Sequence, residues 1–334
     1  MPQLVNPPFG DPGLYVDFRN EKRALLFDIG DIGRLAPRKV LRVSDVFVSH
    51  THMDHFIGFD WLVRICLGRD VGVRLFGPPG IVDQVEHRLA AYTWNLVDSY
   101  PGDFSILASE LDPGGTLSSA RFRCRRRFER EPLEPSRARD GVLVDDPAFR
   151  VRTAFLEHRT PCLGFAVEEK MHVNVWKNRL AELGLPVGPW LKELKDAVTN
   201  GSPDDAPVRA WWKENGERKE RVFSLGDLKR QVLQLVPGEK LCYVTDAVYN
   251  ERNARQIVEL ARDADLLFIE SVFLDEDAAH AREKHHLTAR QAGELARAAG
   301  ARAVTPFHFS PRYAGREAEL REELDRAFRG AAGA

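Results

Sequence analysis

Short apolar runs alternate along the chain with longer amphipathic stretches. The runs are short enough for strands, and the amphipathic stretches repeat their apolar residues with the period of a helix. Strands are predicted at Leu14–Phe18, Ala24–Phe27, Val46–Val48, Val71–Phe76, Phe104–Leu111, Ala120–Phe128, Phe149–Leu156, Lys240–Val244, Leu266–Ile269 and Ala303–Phe307. Helices are predicted at Phe56–Leu67, Ile81–Tyr92, Ala289–Ala299 and Glu317–Phe328. This alternation predicts an α/β sandwich.

Residues 168–235 interrupt the alternation. Strand signals fade there, the density of charge rises, and the segment Gly184–Pro189 separates two short predicted helices. Tryptophans and lysines make the segment both aromatic and basic; they are Trp176, Trp190, Trp211, Trp212, Lys177, Lys192, Lys195 and Lys213. We therefore predict a single domain over residues 1–334 with an inserted helical arm at 168–235. The arm is either a substrate-binding arm or a cap that packs its own tryptophans.

The bulk composition is that of an ordinary globular protein. With 48 Lys and Arg against 50 Asp and Glu, the net charge of −2 gives no global attraction to nucleic acid or anionic membrane. A polyanion would need a local patch, for which the arginine run at 121–130 is a candidate, although such runs are more often solvated strand faces. The four separated cysteines favour a reducing, cytoplasmic setting, and neither a secretion signal nor a membrane span is visible.

Metal-ligand side chains are concentrated directly after the predicted strand Val46–Val48. Three of the ten histidines and one aspartate lie within six residues, at His50, His52, Asp54 and His55. Imidazole nitrogen and carboxylate oxygen are ligands for zinc, manganese and iron. Residues i and i+2 of an extended chain point to the same side, so His50 and His52 can bind one metal together. Asp54 and His55 begin a helix and turn toward a second metal, and His158 is the best candidate for a third nitrogen ligand.

Further polar residues follow other predicted strands. Asp246 and Glu270 each come just after an apolar strand, which is a common location for functional sites in α/β sheets. Asp28 is equally consistent with a residue that supports the histidines from behind and with a turn aspartate. His285 is predicted to lie on the surface or behind the site. The remaining histidines are predicted to be structural or solvated; they are His87, His172 and His280.

Five segments match a known set of motifs. They are His50–Gly58, Phe155–Phe165, Gly184–Pro189, His286–Ala292 and His308–Tyr313. Together they resemble the ribonuclease Z family of tRNA 3′-processing endonucleases, within the metallo-β-lactamase superfamily. The resemblance implies a four-layer αβ/βα sandwich of two mixed sheets with the metals at one edge. It also implies a phosphodiesterase that uses a hydroxide bridging two divalent metal ions, zinc before manganese or iron, and a homodimer that acts on precursor tRNA.

The same resemblance implies a role for each site residue. One metal ion would be held by His50, His52 and His158. The second would be held by Asp54, His55 and His308. Asp246 would bridge the two ions. Proton transfer would be carried out by Asp54, His286 and Glu270.

The chain departs from the family pattern at two places. The segment Asp28–Arg34 lacks the usual Thr-Gln, and Ile269 stands where a histidine usually precedes the glutamate. Both departures leave the ligand set intact, so they concern the substrate. The alternative to a tRNA endonuclease is a hydrolase of a small phosphodiester or another ester, which the altered first motif and the near-neutral charge favour somewhat. A non-catalytic binding module is disfavoured because every expected ligand is present.

Overall fold

The computed structural model describes residues 2–18, 22–214 and 216–330. The chain divides into two units. The larger unit consists of residues 1–145, 150–168 and 240–334. The smaller unit consists of residues 146–149 and 169–239, nearly the same residues as the predicted arm.

The elements of both units are named here in chain order. The strands are β1 (Pro2–Leu4), β2 (Leu14–Phe18), β3 (Arg23–Phe27), β4 (Val43–Phe47), β5 (Gly72–Gly77), β6 (Ser105–Leu111), β7 (Thr116–Arg123), β8 (Arg130–Arg137), β9 (Val142–Asp145), β10 (Phe149–His158), β11 (Thr160–Glu169), β12 (His172–Val175), β13 (Pro207–Glu214), β14 (Glu217–Ser224), β15 (Leu233–Val236), β16 (Lys240–Val244), β17 (Leu266–Glu270) and β18 (Val304–Phe307). The helices are α1 (Pro37–Val40), α2 (Met53–Phe56), α3 (Phe59–Cys66), α4 (Ile81–Ala90), α5 (Lys177–Glu182), α6 (Trp190–Thr199), α7 (Leu225–Val232), α8 (Glu251–Leu260), α9 (Ala278–Lys284), α10 (Ala289–Ala298) and α11 (Glu317–Arg329). Single 3-10 turns lie at Val97–Ser99, Cys124–Arg126, Arg139–Gly141, Asp275–Asp277 and Pro311–Tyr313.

The first sheet of the larger unit contains β1 to β8 in chain order. Strands β3 to β6 are parallel to one another, and antiparallel strands flank them on both sides. Apolar residues of these strands, such as Leu26 and Val46, share a buried cluster with residues of α1, α3 and α4. Because the central strands are also buried on their other face, they read as continuous apolar runs in the sequence.

The second sheet has the order β18-β17-β16-β11-β10-β9. Strands β16, β17 and β18 are parallel, and β11 pairs with β16 in the antiparallel direction. One face of this sheet shares a buried cluster with α8, α10 and α11, to which Ile257, Leu295 and Leu320 contribute. Within the described residues, no helix is long and apolar enough to cross a membrane.

A layer of aromatic rings joins the two sheets. The ring of Phe165 on β11 lies 5.7 Å from that of Phe27 on β3 and 5.6 Å from that of Phe47 on β4. Tyr243 on β16 lies 6.0 Å from Phe27. Helices therefore cover the outer faces, and aromatic residues fill the space between the sheets. The predicted four-layer αβ/βα sandwich is confirmed.

The smaller unit contains strands as well as helices. In addition to α5, α6 and α7 it has two antiparallel pairs, β12 with β15 and β13 with β14. The prediction of a helical arm is therefore incomplete. Strand β14 is exposed over most of its length, so its residues show no alternation of apolar and polar positions. The Asn-Gly pair at 215–216, a frequent signal of a two-residue hairpin turn, is the clue that this segment offered.

The tryptophans of this unit divide between core and surface. Trp190 is fully buried in a cluster with Leu194 and Leu228. Trp176 and Trp211 each have an arginine over the ring, with the guanidinium of Arg179 4.1 Å and that of Arg218 4.9 Å from the respective centroid. The segment thus packs a tryptophan of its own and also carries aromatic and cationic groups in contact with each other.

The arginine run at 121–130 is largely neutralised by carboxylates. Arg123 lies 2.5 Å from Asp103, and Arg130 contacts Asp83 and Glu86 at 2.6 and 3.0 Å. Two further arginines have carboxylates nearby: Arg126 has Glu131 at 4.0 Å and Arg127 has Asp98 at 3.7 Å. The predicted strand also ends early, at Arg123, because the chain turns there. These contacts favour a solvated face over a phosphate-binding strand.

Candidate metal centre

Strand ends from both sheets of the larger unit converge on one cavity. His50 and Asp246 follow β4 and β16, His308 follows β18, and His158 ends β10. The cavity has a volume of about 740 Å³. Predicted site residues that line it are His52, Asp54, His158, Asp246, His286 and His308. Residues that were distant in the sequence are thus brought to one place by the ends of neighbouring strands.

The ligand atoms form two groups with a shared carboxylate beside them. Within each group, all ligand atoms lie within 4.8 Å of one another. One group is His50, His52 and His158. The other is Asp54, His55 and His308. Asp246 forms a third such group with His50 and His55 and a fourth with Glu270, His286 and His308, so it lies next to residues of both predicted metal groups.

The pair proposed for proton transfer lies beside these groups. Nδ1 of His286 is 3.0 Å from Oε2 of Glu270 and 3.4 Å from Oδ1 of Asp246. Glu270 is fully buried, and its Oε1 accepts hydrogen bonds from the backbone N–H groups of Ala247 and Leu287, both at 3.0 Å. Glu270 is thus held firmly and can fix the orientation of the His286 ring.

Two buried nitrogen atoms in the cluster suit a metal. Nε2 of His50 and Nε2 of His55 have no hydrogen-bond partner within the described residues. Oδ2 of Asp246 lies 2.9 Å from Nε2 of His55, a contact that brings two potential ligand atoms together. A buried polar atom without a partner costs about 1–3 kcal/mol, so such atoms need a ligand. A donor set of imidazole nitrogens and carboxylate oxygens fits divalent metal ions.

Opposite charges compensate one another inside the cluster. Burial lowers the pKa of His50 to about 3, although the charge of Asp246 opposes the shift. Burial also lowers the pKa of His308, but the charge of Asp246 and hydrogen bonds to other carboxylates outweigh it and raise that pKa to about 10. For Asp246, burial raises the pKa, but the charges of His55 and His308 hold it well below its usual range. Asp246 therefore stays ionised at neutral pH, the state in which a carboxylate binds metal.

Asp28 supports the cluster from behind. It is fully buried, and its oxygens accept hydrogen bonds from the backbone N–H of Ser49 at 2.7 Å and the hydroxyl of Tyr243 at 2.9 Å. Nδ1 of His55 lies 2.8 Å from the same carboxylate. A hydrogen bond at Nδ1 fixes the tautomer and leaves Nε2 for a metal. Of the two sequence-based interpretations of Asp28, the structure favours the supporting residue over the turn aspartate.

Two glycines bring the metal-ligand loop close to the Asp28 turn. A Cβ at Gly30 would lie 2.2 Å from the backbone oxygen of Asp54, and one at Gly58 would lie 2.2 Å from the backbone oxygen of Gly30. Side chains at either position would force the two segments apart. The N–H of Gly58 donates to the backbone oxygen of Ile29 at 2.8 Å, so the helix predicted at Phe56–Leu67 is interrupted after Phe56, where α2 ends, and resumes as α3 at Phe59.

The sequence did not single out several residues that line the cavity. They are Phe9, Asp11, Arg159, Phe273, Lys284 and Arg312. None lies in a dense ligand motif, although Arg159 and Arg312 neighbour the predicted ligands His158 and His308. His280 and His285 also line the cavity, and the ring of His280 lies 5.2 Å from that of Phe273. His87 is exposed on α4, and the side chain of His172 lies outside the described residues.

Known proteins resemble this chain in both sequence and fold. A family model described as "Beta-lactamase superfamily domain" matches residues 224–309. Ribonuclease Z of Deinococcus radiodurans is 31% identical over 326 residues, which cover 96% of this chain and 92% of that protein. Ribonuclease Z of Haloferax volcanii is 29% identical over 330 residues, covering 96% and 86%. Human tRNase Z, short form, has a TM-score of 0.53 at 19% identity and covers 93% of this chain and 90% of its own.

The four-layer sandwich and the clustered histidines and aspartates define a metal-dependent hydrolase of the metallo-β-lactamase superfamily. A metallo-β-lactamase fold protein of Bacillus subtilis has the same architecture, with a TM-score of 0.55 at 15% identity over 98% of this chain and 92% of its own. The similarity to the Deinococcus enzyme narrows the class further. The chain belongs to the ribonuclease Z family.

Proposed function

We propose that the protein is an endoribonuclease that hydrolyses a phosphodiester bond at the 3′ end of precursor tRNA, leaving a 3′-hydroxyl and a 5′-phosphate. The observation that carries the proposal is the His286–Glu270 pair, which lies beside two groups of metal-ligand atoms in one cavity. Membership of the ribonuclease Z family supports the choice of substrate. The cavity therefore holds candidate ligands for metal ions and a candidate proton donor, which are the groups that hydrolysis of a phosphodiester requires.

The proposed cofactor is a pair of divalent metal ions, which we take to be zinc. One ion would be held by His50, His52 and His158. The other would be held by Asp54, His55 and His308, with Asp246 shared between them. Such ions lower the pKa of a bound water and stabilise charge on phosphate oxygens. The unpartnered nitrogens of His50 and His55 support this ligand set.

We assign His286 as the donor of a proton to the leaving 3′-oxygen. Its Nδ1 is bonded to Glu270, so Nε2 is the nitrogen available to the substrate. Burial lowers the pKa of His286, but the charges of Glu270 and Asp246 outweigh this effect and raise it. A raised pKa favours the protonated imidazole, the form that a general acid requires. Asp54, whose side chain is 44% exposed to the cavity, completes the proposed proton-transfer group.

The smaller unit is the proposed site of RNA binding. Arginines and tryptophans are in contact there, and base stacking on aromatic rings is a common way to hold single-stranded RNA. A groove of about 630 Å³ is lined by residues 184–189 together with Trp211 and Lys213. The arginine run of the larger unit is a weaker candidate because carboxylates already neutralise much of it.

Hydrolysis of a small ester is the second candidate function. The neutralised arginine run and the net charge of −2 favour it. Purified protein should be assayed on precursor tRNA and on bis(p-nitrophenyl) phosphate at two salt concentrations. We expect cleavage of the tRNA, with affinity that falls steeply as salt rises because cations contact the phosphates. Activity on the small ester alone would reject the tRNA proposal but retain the assignment as a hydrolase.

We also propose that a second copy of the chain covers an exposed apolar face of the larger unit. Met53, Ile57 and Trp61 recur every four residues, and Trp61 shares a groove of about 420 Å³ with Tyr92 and Leu96. Met53 is 76% and Leu96 is 62% exposed, which is unusual for such large apolar side chains. The resemblance to ribonuclease Z implies a homodimer, and this face is a suitable interface.

The mass in solution tests the proposed dimer. Light scattering coupled to gel filtration should give twice the chain mass for the wild-type protein. Trp61→Glu should give a monomer, because a charge on this face opposes its burial, while the metal content stays unchanged. Leu133→Glu, a substitution at an exposed apolar residue on β8, is the matched control and should remain dimeric. A monomeric wild-type protein would refute the proposal.

A further inference from the structure

The turn between β10 and β11 is hydrogen-bonded to the segment that follows Asp246. The backbone oxygen of Glu157 accepts a hydrogen bond from Val248 N–H at 3.0 Å, and Oε2 of Glu157 accepts one from Asn250 Nδ2 at 3.0 Å. Arg159, with a φ of 54°, forms the turn itself. The turn is therefore fixed on one side to the backbone that carries the proposed bridging ligand.

The other side of the turn is hydrogen-bonded to the C-terminal end of α9. Nη2 of Arg159 donates a hydrogen bond to the backbone oxygen of Glu283 at 3.0 Å. Nδ1 of His158 lies 2.8 Å from the backbone oxygen of His285. The last carbonyl groups of a helix have no partner within it, and a cation is favourable at this end of the helix dipole. Two neighbouring residues of the turn thus satisfy carbonyl groups at the end of one short helix.

His286 directly follows this braced end. Its backbone N–H bonds to the oxygen of Ala281 at 2.9 Å, and its ring reaches Glu270. His285, one residue earlier, has a φ of 62°, which is a left-handed conformation that a non-glycine residue adopts at a cost. The position of the His286 ring therefore depends on how the end of α9 is held.

We propose that Arg159 is a positioning residue that sets the reach of His286 by holding the Glu283 carbonyl. His158 donates to the carbonyl of His285, two residues further along, so the proposed metal ligand His158 and the proposed proton donor His286 both depend on the end of α9. Arg159 acts through the backbone and not through the substrate. The kinetic tests of this inference rest on the proposed phosphodiesterase function.

Kinetics of Arg159→Ala provide the first test. We expect kcat on precursor tRNA to fall about 10-fold to 100-fold, a part of the roughly 10²- to 10⁴-fold that a general acid contributes, with KM and metal content unchanged. The nitrophenolate of bis(p-nitrophenyl) phosphate leaves without a proton donor, so kcat on that ester should change much less. Arg159→Lys retains a donor and should recover part of the loss. Arg302→Ala, which removes an arginine paired with Asp265, should behave as wild type.

A double variant tests whether the effect passes through His286. Adding Arg159→Ala to His286→Ala should cost little further activity, because residues that act as one unit are not additive. A full additional loss in the double variant would contradict the proposal. A raised KM for tRNA with a weaker salt dependence and unchanged kcat would assign Arg159 to a substrate phosphate instead, which also overturns it.

Hydrogen exchange tests the contact between Arg159 and the end of α9 independently of the reaction. Amides of residues 281–287 should exchange faster in Arg159→Ala than in wild type, in the metal-free and in the metal-loaded protein, while α11 is unaffected. Equal exchange in both proteins would reject the brace. If the wild-type protein cleaves neither substrate, the proposed function fails, yet the exchange result still decides whether Arg159 holds the end of α9.

Discussion

Replacing Asp246 with alanine should abolish metal-dependent hydrolysis. One of its oxygens lies 2.9 Å from Nε2 of His55, and the other lies 3.4 Å from Nε2 of His158, so the carboxylate faces a ligand from each proposed metal group. Without it, the two proposed metal groups lose the carboxylate that they would share, and the buried imidazoles lose their main counter-charge. We expect the rate to fall by roughly 10³-fold or more, at least the size of removing a principal electrostatic group from an active site.

Metal analysis should accompany the rate measurement for this variant. Asp246→Ala should bind fewer than two metal ions per chain, and Asp246→Asn, which keeps the shape but not the charge, should lose most of the activity as well. Asp325→Asn on α11, an exposed position, is the matched control. Circular dichroism establishes that each variant is folded. Full turnover by a metal-free Asp246→Ala protein would refute the assignment.

Replacing His286 with alanine should slow the reaction and leave the metal content near that of wild type. General acid catalysis contributes about 10²- to 10⁴-fold, and the loss should be of that size on precursor tRNA, where the leaving group is an alkoxide. On bis(p-nitrophenyl) phosphate, whose leaving group is a stable anion, the loss should be much smaller. The ratio of the two losses measures proton donation directly.

The metal content of His286→Ala decides between two roles for this residue. His286 also lies close enough to Asp246, Glu270 and His308 to complete a ligand set with them. If metal is lost together with activity, His286 is a ligand and the proton-transfer role is wrong. His87→Ala, at an exposed histidine on α4, controls for loss of an imidazole elsewhere.

Features that depend on neighbouring residues could be predicted from the sequence. The central strands are continuous apolar runs because both of their faces are buried, and the candidate ligands His50 and His52 follow such a run directly. Glu270 ends another strand of the same kind. In these cases the position of the side chain is determined by its spacing along the chain together with the location of the strand end at the edge of an α/β sheet. The resemblance of motifs then supplied the remaining partners, His286 and His308.

Features that depend on contacts with distant segments or with solvent could not be predicted. The structure agrees with the solvated face expected of the arginine run, but the carboxylates that neutralise it, such as Asp103 and Glu86, come from other elements and could not be identified. The hairpin of β13 and β14 escaped prediction because solvent contacts most of its side chains, so burial leaves no pattern. Arg159 lies within a matched motif, but its proposed role depends on a carbonyl more than a hundred residues away, which the motif does not reveal.

The sequence by itself determined which imidazole and carboxylate side chains, the candidate metal ligands, lie at the ends of buried strands, and the resemblance of its motifs supplied the layers that carry them. Only the tertiary structure decided which polar atoms face one another. Asp28 illustrates the difference, because it reads equally as a turn residue until Tyr243, 215 positions later, donates a hydrogen bond to it. Such pairings follow from the closure of two sheets around an aromatic core, and that closure is a property of the whole chain.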